Sequence, residues 1–313
     1  MGAFLDAVGS FASNLASVNW PKLLLALVAF GIYLSFRARA SYNILRAAYP
    51  GAPIDFRRIW GAYFAAYGFN NVVPARGGDI IRLFLTRSSV PGSSYPAIGA
   101  SFAVESVFDA VVGGSVLCFA FTQGVFPKPP DFSKLPAFDI AFFAGHPRFT
   151  LFLLTVLAML ALLAFAVLSA RVRAFWARVR QGLTILFDRR RYLREVFAVQ
   201  LAGWGFRFTA FWLLLDAFGV GGSVRNVLLV LGVNAVAAAI PFTPGGAGVV
   251  QALLVKVFAG TASAATVAAY SVGAQIAIAG FTFAIGLAAV VWIFRFRSFR
   301  EVIAAGRAAR AAT

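Results

Sequence analysis

Residues 149–170 run for 22 positions without a charged side chain. As a helix rising 1.5 Å per residue, such a run is about 33 Å long, the thickness of the hydrocarbon core of a bilayer. Inside that core every backbone N–H and C=O must find its partner within the chain, which a helix provides. Four further runs follow the same logic. Residues 261–294 carry no charge at all, enough to cross with a tilt or after a loop. Residues 96–126 cross with Glu105 and Asp109 inside, and 196–220 with Arg207 and Asp216 inside. Residues 20–36 are the weakest: the mostly apolar part begins at Leu23, so Trp20, Lys22 and Arg37 are expected at the interfaces, with their long side chains snorkelling. The expected fold is an all-α polytopic membrane protein.

Composition agrees. The chain is 61% apolar and 12% charged, against about a quarter charged in soluble domains. This excludes an ordinary soluble enzyme, a disordered chain and a secreted disulfide scaffold. A single cysteine, Cys118, allows no intrachain disulfide, and a single histidine, His146, allows no histidine-rich metal site. No Walker A lysine motif is present. Neither a metal nor another cofactor is expected.

The charges are lopsided: 28 Lys and Arg against 11 Asp and Glu, a net +17. On a soluble protein this would suggest nucleic acid. On a membrane protein, cationic loops hold the topology and touch anionic lipid. Arg37, Arg39, Arg46, Arg57 and Arg58 fall in 37–58, eight arginines fall in 171–194, and five fall after residue 294. The positive-inside rule places all three segments in the cytoplasm. The Pro-rich loop 124–147 is then outside. Five crossings fit, with the N-terminus outside and the C-terminus inside a plasma or inner membrane. Residues 1–19 lack a basic start and contain Asp6, unlike a signal peptide. Phe4, Leu5, Val8, Phe11, Leu15 and Val18 recur at helical spacing, so an interfacial amphipathic helix is expected there. Residues 20–294 then form one transmembrane domain and 295–313 a basic cytoplasmic tail.

Two apolar segments do not fit a crossing. In the first, residues 60–73 are followed by Pro74-Ala75-Arg76-Gly77-Gly78-Asp79 and then by 80–86. In the second, residues 227–240 are followed by Pro241-Phe242-Thr243-Pro244-Gly245-Gly246 and then by 247–258. Each has both ends on one side by the arginine count, so each is expected to enter and return as a re-entrant helix pair, over about 59–87 and 227–258. Broken backbone of this kind is tolerated in a membrane only where it is buried in protein or lines a polar cavity. The two pairs resemble each other and approach from opposite leaflets, the pattern of an inverted repeat with its site near the midplane. Two kinked full crossings, seven in all, are the alternative, and they would put a basic connection outside.

The run Asn70-Asn71-Val72-Val73-Pro74-Ala75-Arg76-Gly77-Gly78-Asp79-Ile80-Ile81-Arg82 resembles a motif block of the lysylphosphatidylglycerol synthase transmembrane, flippase-like family. Glu105 and Asp109 resemble its acidic pair, and Pro241 to Val249 its second Pro-Gly block, in matching order and spacing. The resemblance implies an integral-membrane domain that moves a modified phospholipid or another lipid-linked group between leaflets. The chain departs from the pattern at Asp79, Ser106 and Gln251, where the family often has Glu, Arg and Glu, and it lacks one N-terminal helix. The soluble acyltransferase-like domain of the synthases is absent from this sequence, so no enzymatic activity is expected.

The candidate substrate-binding residues cluster at the breaks. Arg76 sits at the first tip, where its planar, bidentate guanidinium suits a lipid phosphate. It could instead pair with Asp79 or Glu105 and only hold the tip together. Gly77 and Gly78 open a returning half-helix whose free N–H groups favour an anion. Asn70, Asn71 and Pro74 precede that tip. Arg82 either pairs locally or extends the cationic path, and Arg87 is expected to snorkel. Glu105 and Asp109, four residues apart, either pair with Arg76, Arg82 or Arg207, or carry a proton or cation, or meet a cationic headgroup. Gln200, Trp204 and Arg207 share one helix face, with Arg207 a second phosphate or carboxylate partner, while Asp216 reads as a solvated helix end. Thr243, Pro244, Gly245, Gly246 and Gln251 form the second tip.

Three functions compete. The first is a lipid transporter or flippase for a phosphate-bearing lipid, with membrane phospholipids as its partners. The second is a small-solute or ion transporter of the same architecture. The third is a non-transporting subunit that docks a lipid-modifying enzyme through the basic loop.

Overall fold

A computed structural model describes residues 17–71, 77–123, 175–238 and 248–295. Every regular element among the described residues is helical. In chain order the main helices are α1 (Trp20–Ala48), α2 (Phe56–Asn70), α3 (Gly77–Ser89), α4 (Tyr95–Thr122), α5 (Arg189–Ala217), α6 (Val224–Ala238), α7 (Val249–Val257) and α8 (Ala264–Trp292), with residues 175–182 helical and a 3-10 turn at Thr184–Phe187 ahead of α5. α1, α4, α5 and α8 are long and apolar enough to cross a membrane. The expected span 149–170 and the expected helix at the N-terminus lie outside the described residues, apart from residues 17–19 of the latter. So does the tail beyond residue 295.

α1 corrects one expectation. The sequence puts Arg37 at an interface, at the head of a basic cytoplasmic segment running to residue 58. Instead the helix continues to Ala48, and Arg37 is buried within it. The continuation is driven by Leu34, Ala38, Ser41, Ile44 and Leu45, which recur at helical spacing and are all buried. At its start the Asn19 side chain accepts from the Lys22 N–H at 3.1 Å, with Pro21 in the first turn where no donor is needed. The Asn19 N–H donates to the Ala217 carbonyl at 2.9 Å, which ties the start of α1 to the end of α5. Asp216, expected to be solvated, accepts from the Gly222 N–H at 2.6 Å and pairs with Lys22 at 3.4 Å. It closes the turn after α5 and braces α1.

α5 is continuous but contains one π turn, Leu193–Phe197. α1 lies along it. Phe36 stacks on Phe206, and Phe30 meets Phe211 edge-on.

The first interrupted segment forms two helices, α2 and α3, with residues 72–76 between them outside the described part. α3 packs back onto α2 through Gly78, where a Cβ would run into the Ala66 carbonyl oxygen. The second segment forms α6 and α7 around 239–247, also outside the described residues. α7 starts from Gly248 at φ 88°, a conformation costly to any residue with a Cβ. Both pairs lean on α8. Along α2 the approach is nearly backbone on backbone: a Cβ on Gly68 would lie 2.6 Å from the Thr282 carbonyl oxygen, and one on Gly286 2.8 Å from that of Phe64. Small residues allow such contact where no water drives helices together.

Candidate functional site

The charged residues inside the helices converge on one network. Arg37 lies in the middle of α1, and Glu105 and Asp109 lie near the middle of α4. Arg37 donates from Nη1 to Asp109 Oδ1 at 2.6 Å and from Nη2 to Oδ2 at 2.8 Å. Its Nε donates to the Tyr63 hydroxyl at 2.9 Å, and Nη1 also donates to Gln200 Oε1. Glu105 Oε2 lies 3.8 Å from Arg37 Nη2, while its Oε1 accepts from Arg82 Nη2. Arg82 also donates to Ser41 Oγ at 2.9 Å. Its guanidinium sits between two rings, 4.2 Å from the Tyr63 centroid and 3.9 Å from that of Phe102.

This arrangement satisfies the demand that two carboxylates on one helix face impose. Two guanidinium groups balance Glu105 and Asp109, and side chains from α1, α2, α3, α4 and α5 take part. A charge removed from water needs such pairing and extra hydrogen bonds, and losing one partner costs about 3–5 kcal/mol. The network is closed at one end and open at the other. The Glu105 side chain is 4% exposed and that of Arg37 9%, but that of Asp109 is 49% exposed.

Of the expected partners for the acidic pair, Arg82 is present. Arg207 is elsewhere, and Arg76 lies outside the described residues. Arg37, Tyr63 and Ser41 were missed. The one available signal was helical spacing of apolar residues beyond Arg37, which makes it a mid-helix residue and not a terminal one.

Arg207 stands among aromatic rings, 5.5 Å from the centroid of Tyr33 and 5.9 Å from those of Trp204 and Phe211. Among the described residues its Nε is buried without a hydrogen-bond partner, and so is Nε2 of Gln200. These two donors lie on one face of α5, two turns apart, close to 10 Å along the axis. Buried donors without acceptors are rare in folded proteins and mark strain, a missing ligand or a functional role.

The first break is framed by asparagines. Asn70 donates from Nδ2 to Asp79 Oδ1 at 2.9 Å, joining the end of α2 to the first turn of α3. Asn71 donates to the Tyr67 carbonyl at 3.1 Å and to Thr282 Oγ1 of α8 at 3.3 Å. Gly77 opens α3, and Gly78 permits its close approach to α2. The Arg87 guanidinium lies over Tyr95, 4.8 Å from the centroid, with Nε buried and without an acceptor among the described residues. At the second break Gln251 accepts from the Gly248 N–H at 2.6 Å and donates to Gln275 Oε1 of α8 at 2.8 Å. Pro74, Thr243, Pro244, Gly245 and Gly246 lie outside the described residues. Among the described residues no cluster of three or more metal-ligating side chains occurs.

No curated protein matches the chain. The family model for the lysylphosphatidylglycerol synthase TM region matches residues 3–286. That match takes in all the helices described above except the end of α8, with both interrupted pairs and the charge network. The chain is a multi-pass membrane protein and belongs to the lysylphosphatidylglycerol synthase TM-region family.

Proposed function

We propose that the chain is a lipid transporter of the flippase type and not an enzyme. It moves a phosphate-bearing lipid, anionic or modified, between the leaflets of the cell membrane. The observation that carries this reading is the charge network at the middle of the long helices, with Gln200 Nε2 and Arg207 Nε, two of the buried donors that have no acceptor among the described residues, along one face of α5. Phosphate oxygens are strong acceptors, and a guanidinium binds them with charge-assisted hydrogen bonds. A headgroup with several oxygens suits two donors two turns apart. The half-exposed Asp109 supports access to the network from the side of α4.

In this reading α2–α3 and α6–α7 are re-entrant pairs of an inverted repeat, and they alternate around the network, with Arg76 and the second Pro-Gly tip completing the path. The N-terminus is outside and the basic segments are cytoplasmic. Energy comes from the membrane potential, a proton step at the acidic pair or the lipid gradient.

The test is reconstitution of the purified chain in liposomes. Headgroup-labelled lipids in the inner leaflet are followed as they lose protection from a membrane-impermeant quencher. Anionic lipid should move faster than zwitterionic lipid, and Arg207→Gln should abolish that preference while the protein stays folded. Movement of neither lipid by folded protein, with or without an imposed potential or pH gradient, would refute the transport reading.

A further inference from the structure

Away from the buried network, the last turns of α1 and the first turns of α5 flank an open cavity of about 250 Å³. Arg39, Asn43, Arg46, Arg191 and Glu195 line it. Its anion is already engaged: Glu195 accepts from Arg191 Nε at 3.0 Å and from Arg194 Nη2 at 3.4 Å. Asn43 is held by donating to the Glu195 backbone carbonyl at 2.7 Å, within the π turn of α5.

Arg39 and Arg46 have no carboxylate partner among the described residues. They are seven positions apart on α1, hence on one face, and the Tyr42 ring between them holds both. Their guanidinium carbons lie 5.0 and 5.7 Å from its centroid, and Arg39 also faces Phe56 at 5.6 Å. Three guanidinium groups and one carboxylate give the lining a net charge of +2. Cations held around one cavity repel each other until an anion enters.

We propose that this cavity binds a phosphate monoester group. At pH 7 a monoester carries about −1.5 to −2 and three strong acceptor oxygens. That charge matches the lining, and the oxygens match guanidinium forks. A phosphodiester carries a single negative charge and leaves half of the lining charge unanswered. None of the lining residues belongs to the buried network, so the site stands whether or not the chain moves lipids.

The experiment adds phosphatidic acid, phosphatidylglycerol or glycerol 3-phosphate to the detergent-purified full chain and measures retained ligand by native mass spectrometry. Phosphatidic acid should be retained at least about tenfold more tightly than phosphatidylglycerol. Arg39→Gln/Arg46→Gln should remove that preference. Both positions are exposed, so circular dichroism and elution volume should stay unchanged, and Arg46→Gln alone should weaken retention several-fold. Arg189→Gln/Arg190→Gln removes the same charge from exposed positions outside the lining and should leave the preference intact. Glycerol 3-phosphate bound as tightly as phosphatidic acid, and lost in the same variant, would support the phosphate site with a soluble monoester as its source. Equal retention of the two lipids, or equal losses in the two double variants, would overturn the proposal.

Discussion

Arg37 grips Asp109 with both ends of its guanidinium, at 2.6 and 2.8 Å, across 72 positions of sequence. That fork fastens α1 to α4 where the network opens, with Arg37 buried and Asp109 half exposed. Arg37→Met leaves Asp109 and Gln200 without their donor and should destabilise the fold by about 3–5 kcal/mol, read as thermal unfolding in detergent. Arg37→Lys keeps the charge but loses the two-point geometry, so an intermediate loss is expected. Arg37→Met/Asp109→Leu should cost less than the two single changes together. Strict additivity would show that the pair is not coupled.

The α2–α8 contact predicts a contrast between two glycines. Gly68→Ala drives a methyl group toward backbone atoms of Thr282 and Phe283 at 2.6–2.9 Å and should cost about 1–3 kcal/mol. Gly280→Ala, on α8 itself, meets open space and should be neutral or stabilise by up to about 1 kcal/mol through helix propensity. Chemical or thermal unfolding of the two variants side by side is the measurement.

If the proposed transport is right, Arg207 should separate binding from folding. No hydrogen bond or carboxylate among the described residues holds it, only rings. Arg207→Gln should shift stability by about 1 kcal/mol or less, the scale of an exposed to half-desolvated cation–π contact. Lipid movement in liposomes should fall by tenfold or more. A large stability loss with unchanged movement would make Arg207 a packing residue.

The start of α7 rests on the unusual backbone of Gly248. At φ 88° and ψ −52° an added Cβ is strained even though the space around it is open, so Gly248→Ala should cost about 1–3 kcal/mol. Gln251→Leu should cost about as much again, because it removes the acceptor of the Gly248 N–H and the link to Gln275. Thermal unfolding of each variant gives the size of both effects.

Much of the architecture could be read from the chain because membrane spans obey a simple rule: long uncharged runs must be helices. The Pro-Gly interruptions marked where α2 and α3, and α6 and α7, part company. Glu105 and Asp109 were legible as a pair in need of cations, since four residues put them on one face. Their main partner was not. Arg37 follows an apolar run, and an arginine there looks the same whether the helix stops or carries on. Only the small and apolar residues after it, Ala38, Ala40 and Ile44, separate the two cases, and their local hydropathy is diluted by Arg39 and Arg46. Asp216 was misread for a related reason: its partners, the Gly222 N–H and Lys22, come from a turn and from a distant helix, which periodicity does not report.

The backbone contact between α2 and α8 also has a mechanical meaning. Interdigitated side chains let two helices slip by changing rotamers, but bare carbonyls against Cα atoms offer no such bearing. α2 and α8 are therefore keyed together at their backbones: any side chain larger than hydrogen at Gly68 or Gly286 has to wedge the two helices apart before either can keep its place.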